Sequence, residues 1–150
     1  MSLIPNCVVD ADVSRPLRAG EGIITRMQNR GELREYVVIA LGTNGTNNYA
    51  RLMTDIIEAI NPGHRVIFVT PFDGRSNNNA RAVANTVVWM RDLPDLYDFV
   101  TLADWNALIA PQQNLLAGDK VHMGGQASRN LYAELILDAI NAASLKPAKE

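Results

Sequence analysis

Six consecutive apolar residues, Tyr36-Val37-Val38-Ile39-Ala40-Leu41, run directly into Gly42-Thr43-Asn44-Gly45-Thr46-Asn47-Asn48. A run this apolar and rich in β-branched residues suits a strand buried on both faces, the usual condition of a parallel sheet. The Gly, Asn and Thr residues break the strand and form a loop at its carboxyl end. A helix follows, with apolar positions Leu52, Met53, Ile56, Ile57 and Ile60. Open α/β sheets bind ligands at the carboxyl ends of their strands, so this loop lies where chemistry is expected. Asn44 offers a short amide there that suits donation to a developing oxyanion. The same Asn-Gly pair also suits a plain turn, because Asn tolerates positive φ.

The rest of the chain alternates strand and helix around this unit. Asn6–Val9 reads as a short strand, and Asp10–Gly20 as a polar loop holding Pro16. Glu21–Asn29 reads as a helix closed by Gly31, a common left-handed stop. Asn48–Ile60 is the next helix, ended by Pro62-Gly63. Arg65–Thr70 is a third apolar strand, Pro71–Asn78 a Gly/Ser/Asn loop and Asn79–Arg91 a helix. Phe99–Leu102 is the fourth strand. Ala103–Gly118 reads as irregular, and a long helix runs from about Ala127 to Ala142, before a tail, Lys146–Glu150, expected to fray. Alternation of this kind implies a parallel sheet between helical layers, with right-handed crossovers.

At 150 residues the chain reads as a single domain, 1–150, and at 47% hydrophobic it can bury a core. Net charge is −2, and no basic stripe interleaved with aromatics appears, which argues against nucleic acid as a partner. Cys7 is the only cysteine, so there is no internal disulfide and no Cys/His set for zinc; no metal and no cofactor are expected. Cys7 opens an apolar strand and reads as a core residue. His64 follows Asn61-Pro62-Gly63 in a turn and reads as a surface residue. No apolar run reaches the ~18 residues that a membrane span needs, and no signal peptide is evident. Met1-Ser2-Leu3 reads as an artificial start, so the chain is expected to be a piece of a larger protein.

Asp119 and His122 stand three residues apart in Gly118-Asp119-Lys120-Val121-His122. That spacing puts both side chains on one side of a tight turn or a first helical turn. A carboxylate that orients an imidazole, and an imidazole that accepts a proton from a nucleophile, are two parts of the acyl-transfer triad. A solvated turn would carry the same residues.

These segments together resemble the SGNH (GDSL-like) hydrolases, and more narrowly the C-terminal SGNH domain of membrane-bound acyltransferases that O-acetylate cell-envelope glycans. The resemblance rests on Val8-Val9-Asp10-Ala11-Asp12-Val13-Ser14-Arg15, on Val37-Val38-Ile39-Ala40-Leu41-Gly42-Thr43-Asn44-Gly45, on Ala103-Asp104-Trp105 and on Asp119-Lys120-Val121-His122. It implies a three-layer α/β/α, flavodoxin-like parallel sheet. It implies His122 as general base, Asp119 as its orienting carboxylate, and Asn44 as an oxyanion-hole donor. Ser14 stands where the family carries an oxyanion-hole glycine. The resemblance further implies an acyl donor and a glycan acceptor as partners, and a periplasmic or extracellular domain of a bacterial membrane protein, tied to the membrane only through an absent N-terminal part.

On the same reading, Arg15 and Arg75 are cleft cations suited to an anionic glycan. Gly42 and Asn79 line the substrate cleft, and Trp105 offers a stacking face for a sugar ring. Surface solvation, helix capping by Asn77–Asn79 and a core role for Trp105 are the alternatives.

The family's Gly-Asp-Ser nucleophile is missing. The serines are Ser2, Ser14, Ser76, Ser128 and Ser144, and none follows an N-terminal apolar strand in a strand-turn-helix setting, although Ser14 lies on a cleft loop. The chain reads as beginning after the first, central strand, so the fragment is expected to be inactive. Loss of a central strand leaves Asn6–Val9 and Tyr36–Leu41 with open ladder edges. They are expected to pair with each other or to form a homodimer through the sheet edge. Two other functions fit the same chain. One is a non-catalytic glycan-binding or assembly domain. The other is a flavodoxin-like phosphate or nucleotide binder, which the absence of Gly-x-Gly-x-x-Gly and of a P-loop lysine disfavours.

Overall fold

The structure, a computed structural model, describes residues 6–150. Nine elements carry the fold: α1 (Gly20–Asn29), β1 (Tyr36–Ile39), α2 (Tyr49–Ala59), β2 (Arg65–Val69), α3 (Asn78–Met90), α4 (Leu93–Leu96), β3 (Val100–Ala103), α5 (Trp105–Ile109) and α6 (Gln126–Ser144). The strands form one parallel sheet in the order β1-β2-β3, with Val37 opposite Val66 and Val66 opposite Val100. This is the α/β fold expected from the sequence.

Alternation along β2 divides the interior in two. Val66 and Phe68 point into a core with Met53, Ile56 and Ile57 of α2, Ile24 of α1 and Met90 of α3. Ile67 and Val69 point the other way, into a core with Ile136, Ala139 and Ala143 of α6 and Trp105 and Ile109 of α5. Successive strand residues face opposite sides of a sheet, so a strand covered on both faces must be apolar throughout. Helix α2 buries Met53, Ile56 and Ile57, a stripe at three- and four-residue spacing that its C-cap residue Ile60 extends. Helix α3 is capped by Asn77, whose Oδ1 accepts from the Ala80 N–H at 2.9 Å.

The expected strand at Asn6–Val9 is not formed. Val9 is 72% exposed and Cys7 is exposed, not a core residue. Nor does this segment pair with β1, whose outer edge has no strand partner among the described residues. A strand needs a neighbour within hydrogen-bonding reach, and a groove of about 1150 Å³ lies between the two. Its walls are Ile23, Ile24 and Met27 of α1 on one side and Tyr132, Ile136 and Ile140 of α6 on the other, with β1 as its floor. Val38, on the α6 face of β1, is left 38% exposed by it.

Two further expectations are corrected. Ala103–Gly118 is not irregular: α5 starts where Asp104 Oδ1 accepts from the Ala107 N–H, and a 3₁₀ turn covers Ala110–Leu115. The tail is not frayed. Backbone bonds join Lys149 to His64 and Gly63, and the Lys149 ammonium donates to the Ile57, Glu58 and Ile60 carbonyls at the end of α2. A cation on these orphan carbonyls also complements the negative end of the helix dipole.

Candidate functional site

Asp119 is fixed before its imidazole is considered. Its Oδ1 accepts the Val121 and His122 backbone N–H groups, each at 3.0 Å. Lys120 takes a left-handed φ of 59°, which closes the turn, and the Ala117 N–H donates to the His122 carbonyl. The second carboxylate oxygen, Oδ2, lies 2.6 Å from His122 Nδ1. A carboxylate only accepts, so Nδ1 donates to Asp119 and the other ring nitrogen, Nε2, is left clear of it. The His122 hydrogen bond, with the two backbone donors, holds the Asp119 carboxyl well below the usual carboxylate range. The His122 side chain is 80% exposed, so Nε2 is open to an incoming hydroxyl.

The loop after β1 stands on three supports. Gly42 has φ 125°, and a Cβ there would lie 3.2 Å from Pro71. The Asn44 carbonyl accepts the Leu17 N–H at 3.1 Å, and Gly45, at φ 64°, packs on Pro16. The Asn44 side chain is left exposed, with no hydrogen bond to another described residue. Ser14 is on the neighbouring loop with φ 58°.

The loop after β2 joins these pieces. Asp73 has a fully buried carboxylate. Its Oδ1 accepts Arg75 N and Nε; its Oδ2 accepts an Arg75 terminal nitrogen at 2.6 Å and Asn79 Nδ2 at 2.7 Å. Arg75, followed by Asn79, lowers the Asp73 pKa from 3.8 to about 2 against the opposing effect of burial. Asn79 Nδ2 also donates to the Thr43 carbonyl at 3.1 Å. Next to Asp73, the Gly74 N–H donates to the Lys120 carbonyl at 3.0 Å. The loop bearing Asn44 is thereby tied through Asn79, Asp73 and Gly74 to the turn bearing Asp119 and His122.

No protein-family model and no curated protein matches the sequence. Among solved structures, the C-terminal catalytic domain of peptidoglycan O-acetyltransferase A from Streptococcus pneumoniae, carrying a methylsulfonyl adduct, superposes with a TM-score of 0.92 at 30% identity, over 98% of this chain and 86% of that one. The chain belongs to the family of that SGNH-type domain. An α/β hydrolase, LAE5, from the metagenome of Lake Arreo, Spain, shares the fold alone, with a TM-score of 0.59 at 16% identity over 87% of this chain and 68% of that one.

Within this SGNH-type domain, other sequence candidates are held by different groups. Arg15 is engaged by Asp10, at 2.6 Å, and donates to the Asp10 carbonyl. Arg75 grips Asp73, and Asn79 is a brace between loops. Trp105 is 5% exposed, with its ring edge-on to Tyr132 at 5.0 Å, and it presents no open face to a sugar. No hydroxyl or thiol among the described residues hydrogen-bonds to His122, and none of their His, Cys, Asp and Glu side chains cluster to hold a metal. The sequence reading missed Asp73. Its signal is a Thr-Pro-Phe-Asp-Gly-Arg segment at a strand's carboxyl end, where an acid two residues before an arginine can fold back on it.

Proposed function

We propose that this domain supplies the proton-transfer and oxyanion-binding parts of an O-acetyltransferase acting on cell-wall glycan, outside the bacterial membrane. The observation that carries this reading is the Asp119–His122 pair, with Nδ1 bound and Nε2 outward, stitched to the loop that carries an uncommitted Asn44 side chain. A strand seated beside β1, in the groove walled by α1 and α6, brings the nucleophilic serine. On this reading the domain, 1–150, is inactive without that serine.

The chemistry follows from the groups in place. His122 Nε2 takes the serine proton as the serine oxygen bonds to the acetyl carbonyl carbon. The tetrahedral oxyanion receives hydrogen bonds from Asn44 Nδ2 and the Ser14 backbone N–H. Such donors are each worth roughly 3 kcal/mol of barrier. Collapse breaks the bond to the donor's oxygen, which leaves with the His122 proton. A glycan hydroxyl then gives its proton to His122 and attacks the acetyl-serine, regenerating the serine and releasing the sugar ester. Asp119 holds the ring and stabilises the imidazolium at each step.

The test is p-nitrophenyl acetate hydrolysis by this chain and by a chain extended upstream with a Gly-Asp-Ser strand. The extended protein should be active and this chain inert. His122→Ala should lower kcat of the extended protein by roughly 10³ or more. Activity that survives His122→Ala sinks the assignment. An extended protein that is folded but inactive would instead favour a non-catalytic glycan-binding domain.

A further inference from the structure

Helix α3 carries two stripes. Val83, Val87 and Met90 enter the core; Asn85 and Trp89, one turn apart, lie on another side, and Asp92 follows just past the end of the helix. That second side faces Asn47, Asn48 and Tyr49 at the start of α2, and the two enclose an open groove of about 620 Å³. This lies within the roughly 300–1,000 Å³ of small-ligand sites. Nothing in the proton-transfer machinery uses it.

Three features of the groove point to one class of ligand. Its apolar wall is aromatic: Tyr49 and Trp89 are half-buried, edge to face at 5.7 Å. An aromatic π-face is electron-rich and accepts the weakly positive C–H face of a pyranose. Its polar groups are uncommitted. The side chains of Asn47, Asn48, Asn85 and Asp92 are exposed and make no hydrogen bond or ion pair with any other described residue, so their polar atoms are free to meet a ligand. Each Asn presents both a donor and an acceptor, as recognition of a hydroxyl or acetamido group requires. Its charge does not favour anions. No Lys, Arg or His lines it, and the one ionisable acid is Asp92, so a phosphate or carboxylate would meet repulsion without a counter-charge. The location is also suitable: Asn47 follows Asn44 by three residues, at most about 11 Å of chain.

We infer that the groove between α2 and α3 binds an uncharged N-acetylated pyranose of the glycan acceptor, with Trp89 and Tyr49 as its apolar wall and Asn47, Asn48, Asn85 and Asp92 as its polar contacts. The inference rests on the acetyl-transfer reading for the identity of the acceptor, but binding is measurable without catalysis.

The probe is the β-1,4-linked tetrasaccharide of N-acetylglucosamine, titrated into this chain. The sequence has two tryptophans and Trp105 is buried, so a saturable change in indole emission reports Trp89. Amide NMR shifts should concentrate in Asn47–Tyr49 and Asn85–Asp92. Asn85→Ala, at an exposed position that leaves the core alone, should weaken binding about three- to tenfold, and Trp89→Ala about tenfold or more. His122→Ala should leave binding unchanged. In the extended enzyme, Asn85→Ala should raise KM for the glycan acceptor and leave p-nitrophenyl acetate hydrolysis unaltered. Absence of saturable binding up to about 10 mM, shifts confined to another face, or binding indifferent to both Asn85→Ala and Asn47→Ala would overturn the inference. Failure of the acetyl-transfer reading shows separately, as esterase activity that ignores His122.

Discussion

Replacing Asp73 by Asn tests whether the buried carboxylate clamps the cleft loops. The substitution keeps shape and removes charge. The depression of the Asp73 pKa from 3.8 to about 2, at 1.36 kcal/mol per unit, corresponds to about 2.5 kcal/mol of native-state stabilisation. The new amide also turns a donor towards Asn79 or Arg75, both of which donate to this site. Partial rehydration of Arg75, whose side chain is 44% exposed, offsets some of this. The expected loss at pH 7 is therefore about 2 kcal/mol, or roughly 4–8 °C in Tm for a domain of this size. The pH dependence has a definite sign. A depressed folded-state pKa contributes stability that is fully present above the unfolded value near 4 and is lost as pH falls through about 2. The gap between the two proteins should thus be constant from pH 7 to 5 and shrink to about half by pH 3. Urea unfolding followed by circular dichroism, at pH 7, 5 and 3, measures it. A gap below about 0.5 kcal/mol at pH 7, or one that widens on acidification, would refute the reasoning.

Three further outcomes are expected. Gly124→Ala forces a Cβ to 2.8 Å from backbone atoms of Leu115 and Leu116; overpacking against backbone should cost about 1–3 kcal/mol, read as a lower Tm. Lys149→Ala removes the ammonium from three carbonyls at the end of α2 and should cost about 1–2 kcal/mol, with faster amide exchange in the last turn of α2 as its local signature. In the extended enzyme, Asn44→Ala should lower kcat for p-nitrophenyl acetate roughly 10²–10³-fold with little change in KM; a change in KM alone would remove Asn44 from the oxyanion site.

The parts of the fold legible in the sequence are those that depend on local pattern. The apolar run at Arg65–Thr70 is covered on both faces, as its pattern requires. The run at Tyr36–Leu41 is covered on its α2 face only, because the groove leaves Val38 and Ala40 exposed on the other, which corrects the expectation of a strand buried on both sides. The Asp119–His122 spacing is short enough that one turn joins the two side chains. Asn6–Val9 failed because a strand is a property of two segments, and its apolar composition says nothing about whether a neighbour is present. Lys149 and Asp73 were illegible for another reason. Charged residues in tails and loops are ordinarily solvated; their partners here, the carbonyls of α2 and the Arg75 guanidinium, are selected by tertiary approach. Trp105 follows a strand, as a cleft residue would, yet Tyr132 from α6 closes over it.

Because the Thr43, Asp73 and Lys120 segments are cross-braced through Asn79 and Gly74, they should respond to force as a single stiff plate. The groove between α2 and α3 is lined by none of these bracing residues, although Asn79 stands in the first turn of α3. On the readings proposed above, substitution along Asn85–Trp89 retunes sugar recognition and leaves the Asp119–His122 pair in place.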